Sequence, residues 1–292
     1  MEKLIEKAGV LIEALPYIRK FYGKTFVIKY GGSAQKEEHL KKAFAEDVAL
    51  LSFIGIRPVI VHGGGPKISD TMERMGKKAE FVHGHRVTDQ ETMDIVEMVL
   101  GGLVNKQIVS LINSQGGRAV GLSGKDGELI KAKKKRLKDP GADKPSELID
   151  IGLVGEVTEV NTGVLKALDK AGFIPVISPV GVGPDGETFN INADDITAAI
   201  AKSLEAEKLI YLTDVDGVKD KKGKSIGTLQ KAQAKRMIKS GAITGGMLPK
   251  IDTAISAIDS GVGKVHIIDG RVPHCLLLEI FTNTGIGTEI TE

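Results

Sequence analysis

Apolar positions along the chain follow two alternating rhythms. Within residues 1–22, Leu4, Ala8, Leu11, Leu15, Ile18 and Tyr22 recur at spacings of four and three, which predicts an amphipathic helix with one apolar stripe. Pro16 should kink or interrupt it. Packing of this stripe on its own domain is expected ahead of its exchange with another subunit. Short β-prone runs then punctuate the chain at Thr25-Phe26-Val27-Ile28, at Arg57-Pro58-Val59-Ile60-Val61 and over 118–122, 153–160, 173–179, 208–212 and 265–269. Between them the helical period returns. Ala43, Val48, Leu51, Phe53 and Ile54 mark a helix that stops near Gly55, and Met93, Ile95, Val96, Val99 and Leu100 follow a capping box at Thr88-Asp89-Gln90-Glu91. Further helices are expected over 164–171, 196–204 and 229–240, with a last one running through Ile258. An apolar segment over 275–281 follows, and Gly285-Ile286-Gly287-Thr288 leads out to the end. Such alternation implies an α/β fold with a mostly parallel sheet and helices on both faces.

Composition narrows the partners. A chain of 292 residues with 41% hydrophobic content can bury a full core in one large domain or two moderate ones. Its net charge of +2, from 40 basic and 38 acidic residues, gives no bulk attraction to nucleic acid or to an anionic membrane, so any anion site must be local. The densest basic run, Lys131-Ala132-Lys133-Lys134-Lys135-Arg136-Leu137-Lys138, lacks interleaved aromatics and sits beside Asp139-Pro140-Gly141. A solvated hairpin or loop is expected there, not a nucleic-acid surface. The single cysteine, Cys275, excludes an intrachain disulfide framework and a multi-cysteine metal site and fits a reducing cytoplasm. No apolar run approaches membrane-spanning length, and Glu2, Lys3, Glu6, Lys7 and Glu13 interrupt the N-terminal stretch. A cytoplasmic protein without membrane association is expected.

Candidate chemistry gathers where strands run into glycine. Lys29-Tyr30-Gly31-Gly32-Ser33 ends the first strand, and His62-Gly63-Gly64-Gly65-Pro66-Lys67 ends the next, with proline placed for a first helical turn. Glycine N–H groups at such a turn can approach an anion closely, and Lys29 adds a full positive charge. Arg86, just before a helix start, can grip a carboxylate bidentately or serve as a surface arginine. His83 and His85 lack partners for a metal set and read as solvated loop histidines, so no metal site is assigned to the protein. Gly181-Val182-Gly183-Pro184-Asp185-Gly186 fits a dinucleotide glycine pattern, yet Pro184-Asp185-Gly186 predicts a turn and the residues after it look extended, so a hairpin is expected. Asn190, Asn192, Asp194 and Asp195 crowd one strand-to-helix transition where capping needs one such residue. That surplus points to a site. Thr213-Asp214-Val215-Asp216-Gly217 opens a polar loop at a strand end, where open α/β sheets bind ligands.

Together, Lys29-Tyr30-Gly31-Gly32, His62-Gly63-Gly64-Gly65, Gly84-His85-Arg86-Val87-Thr88, Asn190-Ile191-Asn192-Ala193-Asp194, Thr213-Asp214-Val215-Asp216-Gly217-Val218 and Gly245-Gly246-Met247-Leu248-Pro249-Lys250 resemble the amino acid kinase family. The resemblance spans nearly the whole chain in one order. It implies an open three-layer αβα sandwich, with residues 1–188 holding an acyl amino acid and 189–292 holding ATP and an effector. The implied reaction is ATP-dependent phosphorylation, with Mg2+, of the γ-carboxylate of N-acetyl-L-glutamate to N-acetyl-L-glutamyl 5-phosphate in arginine biosynthesis. By matching positions, Lys29 and Lys250 neutralise the transferring phosphoryl group, Asp194 orients both lysines, and Gly64, Gly65, Arg86 and Asn190 bind the acyl amino acid. Gly31, Gly32, Thr213 and Asp214 line the nucleotide pocket. The chemistry agrees: a carboxylate nucleophile is already ionised at neutral pH and needs no general base, so catalysis reduces to overcoming repulsion with a triphosphate.

The extra N-terminal helix, Val265-His266-Ile267-Ile268 and Leu277-Leu278-Glu279-Ile280-Phe281 resemble the arginine-inhibited members of the family. That implies an L-arginine effector site at Tyr17, Lys208, His266, Glu279 and Gly285, and a homohexamer built as a trimer of dimers through exchanged N-terminal helices. Two alternatives remain open. One is a related kinase acting on free glutamate, aspartate, carbamate or a nucleoside monophosphate, although 292 residues leave no room for the long C-terminal regulatory domain of aspartate kinases. The other is a regulatory protein that binds ATP without turnover.

Overall fold

The computed structural model describes residues 1–35, 37–138, 148–220, 223–282 and 284–292. Helix α1 (Glu2–Phe21) leads into strand β1 (Thr25–Tyr30), helix α2 (Glu38–Phe53), strand β2 (Arg57–His62) and helix α3 (Gly65–Arg74). A hairpin of β3 (Phe81–Val82) and β4 (His85–Arg86) precedes one continuous helical run, made of α4 (Gln90–Glu97), a wider π-helical turn (Met98–Val104) and α5 (Asn105–Ser114). Strands β5 (Ala119–Ser123), β6 (Ile130–Lys138) and β7 (Leu148–Val160) follow, then α6 (Gly163–Lys170), β8 (Ile174–Ser178), β9 (Val180–Val182), β10 (Thr188–Asn190) and α7 (Ala193–Ser203). The remainder is β11 (Lys208–Thr213), β12 (Thr228–Gln230), α8 (Lys231–Lys239), α9 (Met247–Asp259), β13 (Lys264–Asp269), α10 (Cys275–Ile280) and β14 (Thr288–Thr291).

Eight strands form one sheet in the order β12-β14-β13-β11-β1-β2-β8-β5, parallel throughout except at the β13–β14 pair. Its central strands β1, β2, β8, β11 and β13 are buried on both faces, which is why they read as near-continuous apolar runs. Side chains alternate between two cores: Phe26, Ile28 and Tyr30 of β1 join Phe44, Val48 and Leu51 of α2, whereas Val27 joins Ile196 and Ile200 of α7 and Ile251 and Ile255 of α9. The three-layer αβα architecture follows from that alternation. β1 pairs with β2 on one side and β11 on the other, so consecutive units turn in opposite directions here and leave a crevice at the strands' carboxyl ends. The same sheet joins strands from both sides of residue 188. β10, β7, β6 and β9 form a second, closed group.

Several expectations are corrected. Helix α1 runs uninterrupted through Pro16. Its stripe does not pack on its own domain: Leu4, Leu11 and Leu15 are 64%, 73% and 45% exposed, and among the described side chains of the helix it is Tyr17 and Phe21, off that stripe, that reach the core. The Gln90–Ser114 run does reach membrane-spanning length and apolarity, but Met93, Ile95, Val96, Val99, Leu100, Ile108 and Ile112 are core residues, so it is a core helix. Its cap is Asp89, whose side chain accepts from the Thr92 amide, while Thr88 is buried and bonded elsewhere. The basic run, by contrast, is one arm of the expected solvated hairpin: strand β6 pairs antiparallel with β7, with Lys133–Glu156 and Lys134–Asp150 ion pairs across it, while Asp139-Pro140-Gly141 lies outside the described residues. Residues 275–280 are helical, and the glycine-rich exit leads into a further strand, β14.

Candidate active site and a second pocket

The parallel register places Lys29 of β1 beside Val61 of β2 and Tyr211 of β11, near the carboxyl edge of the sheet. A cleft of about 680 Å³ opens there, and Lys29, Gly32, Gly64, Gly65, Arg86, Asn190 and Asp194 all line it. Asp194 stands in the first turn of α7, set by the Asn192 side chain, which accepts from the Asp194 amide at 2.7 Å. Its carboxylate faces two lysines: Lys29 Nζ lies 3.1 Å from Oδ1 and Lys250 Nζ 3.7 Å from Oδ2. Lys250 comes from the opening of α9, so three separate elements converge on this pair of charges. Two ammonium groups around one carboxylate leave a positive excess at the cleft, the electrostatic setting for an anionic reactant.

Arg86 is buried where it leaves β4. Its guanidinium donates through Nη2 to the Gly65 carbonyl at 3.0 Å and to Ser69 Oγ at 2.8 Å, and through Nη1 to Met72 Sδ at 3.3 Å. Of the five N–H donors of a guanidinium, two remain for a ligand carboxylate. Burial holds its pKa below the ordinary arginine value. Asn190 donates to Thr88 Oγ1 at 3.2 Å, and Thr88 in turn donates to the Arg86 carbonyl, so Asn190 and Arg86 are tied by one shared residue. A Cβ at Gly64 would stand 2.5 Å from Leu100 Cδ2 of the π-helical turn, so a side chain there would have to displace that leucine.

Gly31 lies buried beneath this cleft. Thr213 ends β11 at the same edge of the sheet, but its hydroxyl turns inward, donating to the Val215 carbonyl at 3.1 Å, and Asp214 beside it is exposed. Neither lines the 680 Å³ cleft. His85, expected as a solvated loop residue, does line it. Burial, with Lys135 nearby, lowers the His85 pKa despite the opposing charge of Asp195. Phe81, Leu100 and Gly63 also line the cleft. Only the triple-glycine pattern signalled Gly63; a lone histidine and scattered apolar residues carry no spacing signal.

Toward the opposite edge, Tyr17, Lys208, His266, Glu279 and Gly285 line a separate pocket of about 250 Å³. Lys208 opens β11, His266 lies within β13, Glu279 comes from α10 and Tyr17 from α1, its ring edge-on to Phe281. Lys208 Nζ lies 2.7 Å from His266 Nε2, and His266 Nδ1 lies 2.6 Å from Glu279 Oε1. Since an ammonium only donates, Nε2 accepts and the ring proton sits on Nδ1, donating to Glu279. Burial depresses the His266 pKa despite the carboxylate, so a neutral imidazole bridges cation and anion. Burial also pushes Lys208 down to about 8. For Glu279 burial alone would raise the pKa, but the His266 bond and the Ile286 and Gly287 amides outweigh it and hold it below the ordinary value. Gly285 adopts φ +62°, and a Cβ there would stand 2.6 Å from Glu279 Oε2.

Comparison with known proteins places the chain in a family. The profile of the amino acid kinase family matches residues 24–269. Acetylglutamate kinase of Syntrophobacter fumaroxidans is 59% identical over 288 residues, covering 98% of this chain and 97% of that protein. Among solved structures, N-acetylglutamate synthase from Neisseria gonorrhoeae, complexed with coenzyme A and N-acetyl-glutamate, superposes with a TM-score of 0.85 at 29% identity. That match covers 98% of this chain, which spans 63% of the synthase's length. The same synthase complexed with coenzyme A and L-arginine gives a TM-score of 0.81 at 28% identity, over 97% of this chain and 65% of that one. The chain belongs to the amino acid kinase family and stands among its acetylglutamate kinases.

Proposed function

We propose that this protein transfers the γ-phosphoryl group of ATP to the γ-carboxylate of N-acetyl-L-glutamate, forming N-acetyl-L-glutamyl 5-phosphate in arginine biosynthesis. The observation that carries this reading is the Asp194 carboxylate between Lys29 and Lys250, in the cleft that also presents Arg86 and Asn190. Arg86 pairs with a carboxylate of the acyl amino acid, Asn190 and the amides of Gly64 and Gly65 orient it, Gly32 faces the phosphates from the cleft, and the nucleotide extends along the same sheet edge toward the loop that opens at Thr213 and Asp214. The ionised γ-carboxylate attacks without a base. Lys29 and Lys250 offset the charge that spreads over the phosphoryl oxygens, and Asp194 keeps both ammonium groups aimed. Asp194 is committed to these lysines, and no group of three or more carboxylate, histidine or cysteine side chains gathers around a metal position among the described residues. Mg2+ would be carried in by ATP itself, and would supply further neutralisation of the triphosphate beside Lys29 and Lys250.

The same reading extends to regulation. L-Arginine fits the second pocket, its guanidinium toward Glu279 and its carboxylate toward Lys208, and acts there as a feedback inhibitor. The exposed stripe of α1 supports exchange of that helix between dimers in a homohexamer, and the lone buried cysteine fits a cytoplasmic location. The test is ATP-dependent acyl-phosphate formation trapped with hydroxylamine, comparing N-acetyl-L-glutamate with free L-glutamate, with and without L-arginine. Turnover of the acetylated substrate alone, suppressed by arginine, is expected. Turnover of free glutamate would reassign the substrate, and turnover indifferent to arginine would remove the effector role.

A further inference from the structure

One buried titratable group beneath the cleft has no part in the scheme above. His62, the last residue of β2, is fully buried. Its Nδ1 lies 2.9 Å from the carbonyl oxygen of Gly63, and its Nε2 lies 3.1 Å from Asn105 Nδ2. Asn105, also fully buried, begins α5 directly after the π-helical turn. The surroundings settle the ring proton. Asn105 Nδ2 lies 2.9 Å from the Val176 carbonyl and 3.4 Å from the Leu122 carbonyl, which only accept, and Asn105 Oδ1 lies 3.2 Å from Lys106 Nζ, which only donates. The amide therefore points its NH2 group at His62, so Nε2 must accept. The single ring proton is left on Nδ1, where it donates to Gly63.

That bond acts on the substrate turn. The carbonyls of three successive glycines are held: Gly63 by His62, Gly64 by the Ile68 amide at 3.0 Å and Gly65 by Arg86 at 3.0 Å. The Gly63 amide donates to the Tyr30 carbonyl at 2.9 Å, fastening the turn to β1. The Gly64 and Gly65 amides lead into α3, where first-turn N–H groups have no intrahelical acceptor, and both residues line the cleft.

We propose that His62 is a positioning residue for the acyl amino acid: as the neutral Nδ1–H tautomer fixed by Asn105, it turns the Gly63 carbonyl inward and keeps the Gly64 and Gly65 amides aimed into the cleft. This rests on the proposed substrate. Burial, with Lys106 as the facing charge, pushes the imidazole down to about 4, so the ring stays neutral across the working pH range. A ring charged at Nε2 would also meet the Asn105 NH2 group donor to donor.

The test combines histidine 15N NMR with steady-state kinetics. In the wild type the His62 signal, identified by its loss in His62→Asn, should report the Nδ1–H tautomer and stay unchanged from about pH 5.5 to 8. Asn105→Asp presents a carboxylate to Nε2 and should draw the proton there, freeing the Gly63 carbonyl. The KM for N-acetyl-L-glutamate should then rise roughly tenfold with the KM for ATP unchanged. His62→Asn keeps a donor near the Nδ1 position and should stay within about twofold of wild type, whereas His62→Gln loses it and should behave like Asn105→Asp. The proposal is overturned by an Nε2–H or titrating ring in the wild type. Equal changes in both KM values, the mark of a merely structural role, or no change in His62→Gln, would overturn it too. If Asn105→Asp does not fold, the wild-type spectrum and the two His62 variants decide. The expected tautomer without any turnover of N-acetyl-L-glutamate refutes the substrate and the positioning role together. Turnover with the wrong tautomer refutes the positioning role alone.

Discussion

The cleft and the second pocket use the same strands in opposite ways. At the carboxyl edge, Lys29 and Lys250 share one carboxylate, and their side chains keep 14% and 22% of their exposure. Toward the amino edge, Lys208 is 7% exposed and closes a chain in which a neutral His266 passes its charge on to Glu279. The first arrangement is over-supplied with positive charge and open to water, so it stays incomplete until an anion arrives. The second is balanced internally, with Lys208, His266 and Glu279 all buried. It can take a zwitterion by exchanging partners, with little change in net charge. On the proposed function, the first arrangement would stabilise charge that develops during a reaction and the second would recognise charge that is already there.

The largest effect should come from breaking the cleft's excess. Lys29→Ala and Lys250→Ala should each lower kcat about 100- to 1000-fold, the range for losing one preorganised donor to a developing charge, with little change in KM. Arg86→Ala should do the reverse, raising the KM for the acyl amino acid and sparing kcat, because its contact is made equally in ground and transition states. Initial-rate kinetics over both substrates read the split, and equal small effects at all three positions would refute the assignment. A smaller effect should follow from Lys208→Met. Losing one charge-assisted hydrogen bond is worth about 1.5–3 kcal/mol, so the arginine concentration for half-inhibition should rise at least about tenfold while uninhibited kcat is kept.

Much of the cleft was legible because its parts announce themselves locally. Lys29 with Gly31 and Gly32, and the run Gly63-Gly64-Gly65, mark strand ends whose backbone must come close to something. Asp194 stood out through a polar surplus no helix cap requires. The remainder depends on distance in the chain. His62 and Asn105 are 43 residues apart and meet only because a π-helical turn and two strands bring them together. His85 lines the cleft through a hairpin of two-residue strands, too short for any periodicity. The stripe of α1 was readable as a helix face, but periodicity records only that a face is apolar, not which molecule covers it. Strand β14 was missed because Gly285-Ile286-Gly287 reads as a loop, and its pairing to β13 is long-range.

The smallest effect is the sharpest test of how sealed the second pocket is. Burial lowers the pKa of Lys208 to about 8 in the folded protein, against 10.5 for a free lysine. A depressed folded pKa means that the unfolded chain binds more protons between these two values, so stability rises with pH across that window and is lost as pH falls through 8. Between pH 8 and 9 the gain is about 1 kcal/mol. Other groups titrate in this range as well, so the quantity to measure is the difference between wild type and Lys208→Met in urea unfolding at each pH. The methionine leaves His266 Nε2 without its donor, which costs roughly 1–3 kcal/mol, but that penalty does not change between pH 8 and 9. The wild type should therefore gain on Lys208→Met by about 1 kcal/mol over this single pH unit, whatever the sign of the difference at pH 7. A difference that stays flat would mean that water reaches Lys208 freely. The second pocket would then be as open as the cleft, and the contrast between a balanced and an unbalanced site would rest on Glu279 alone.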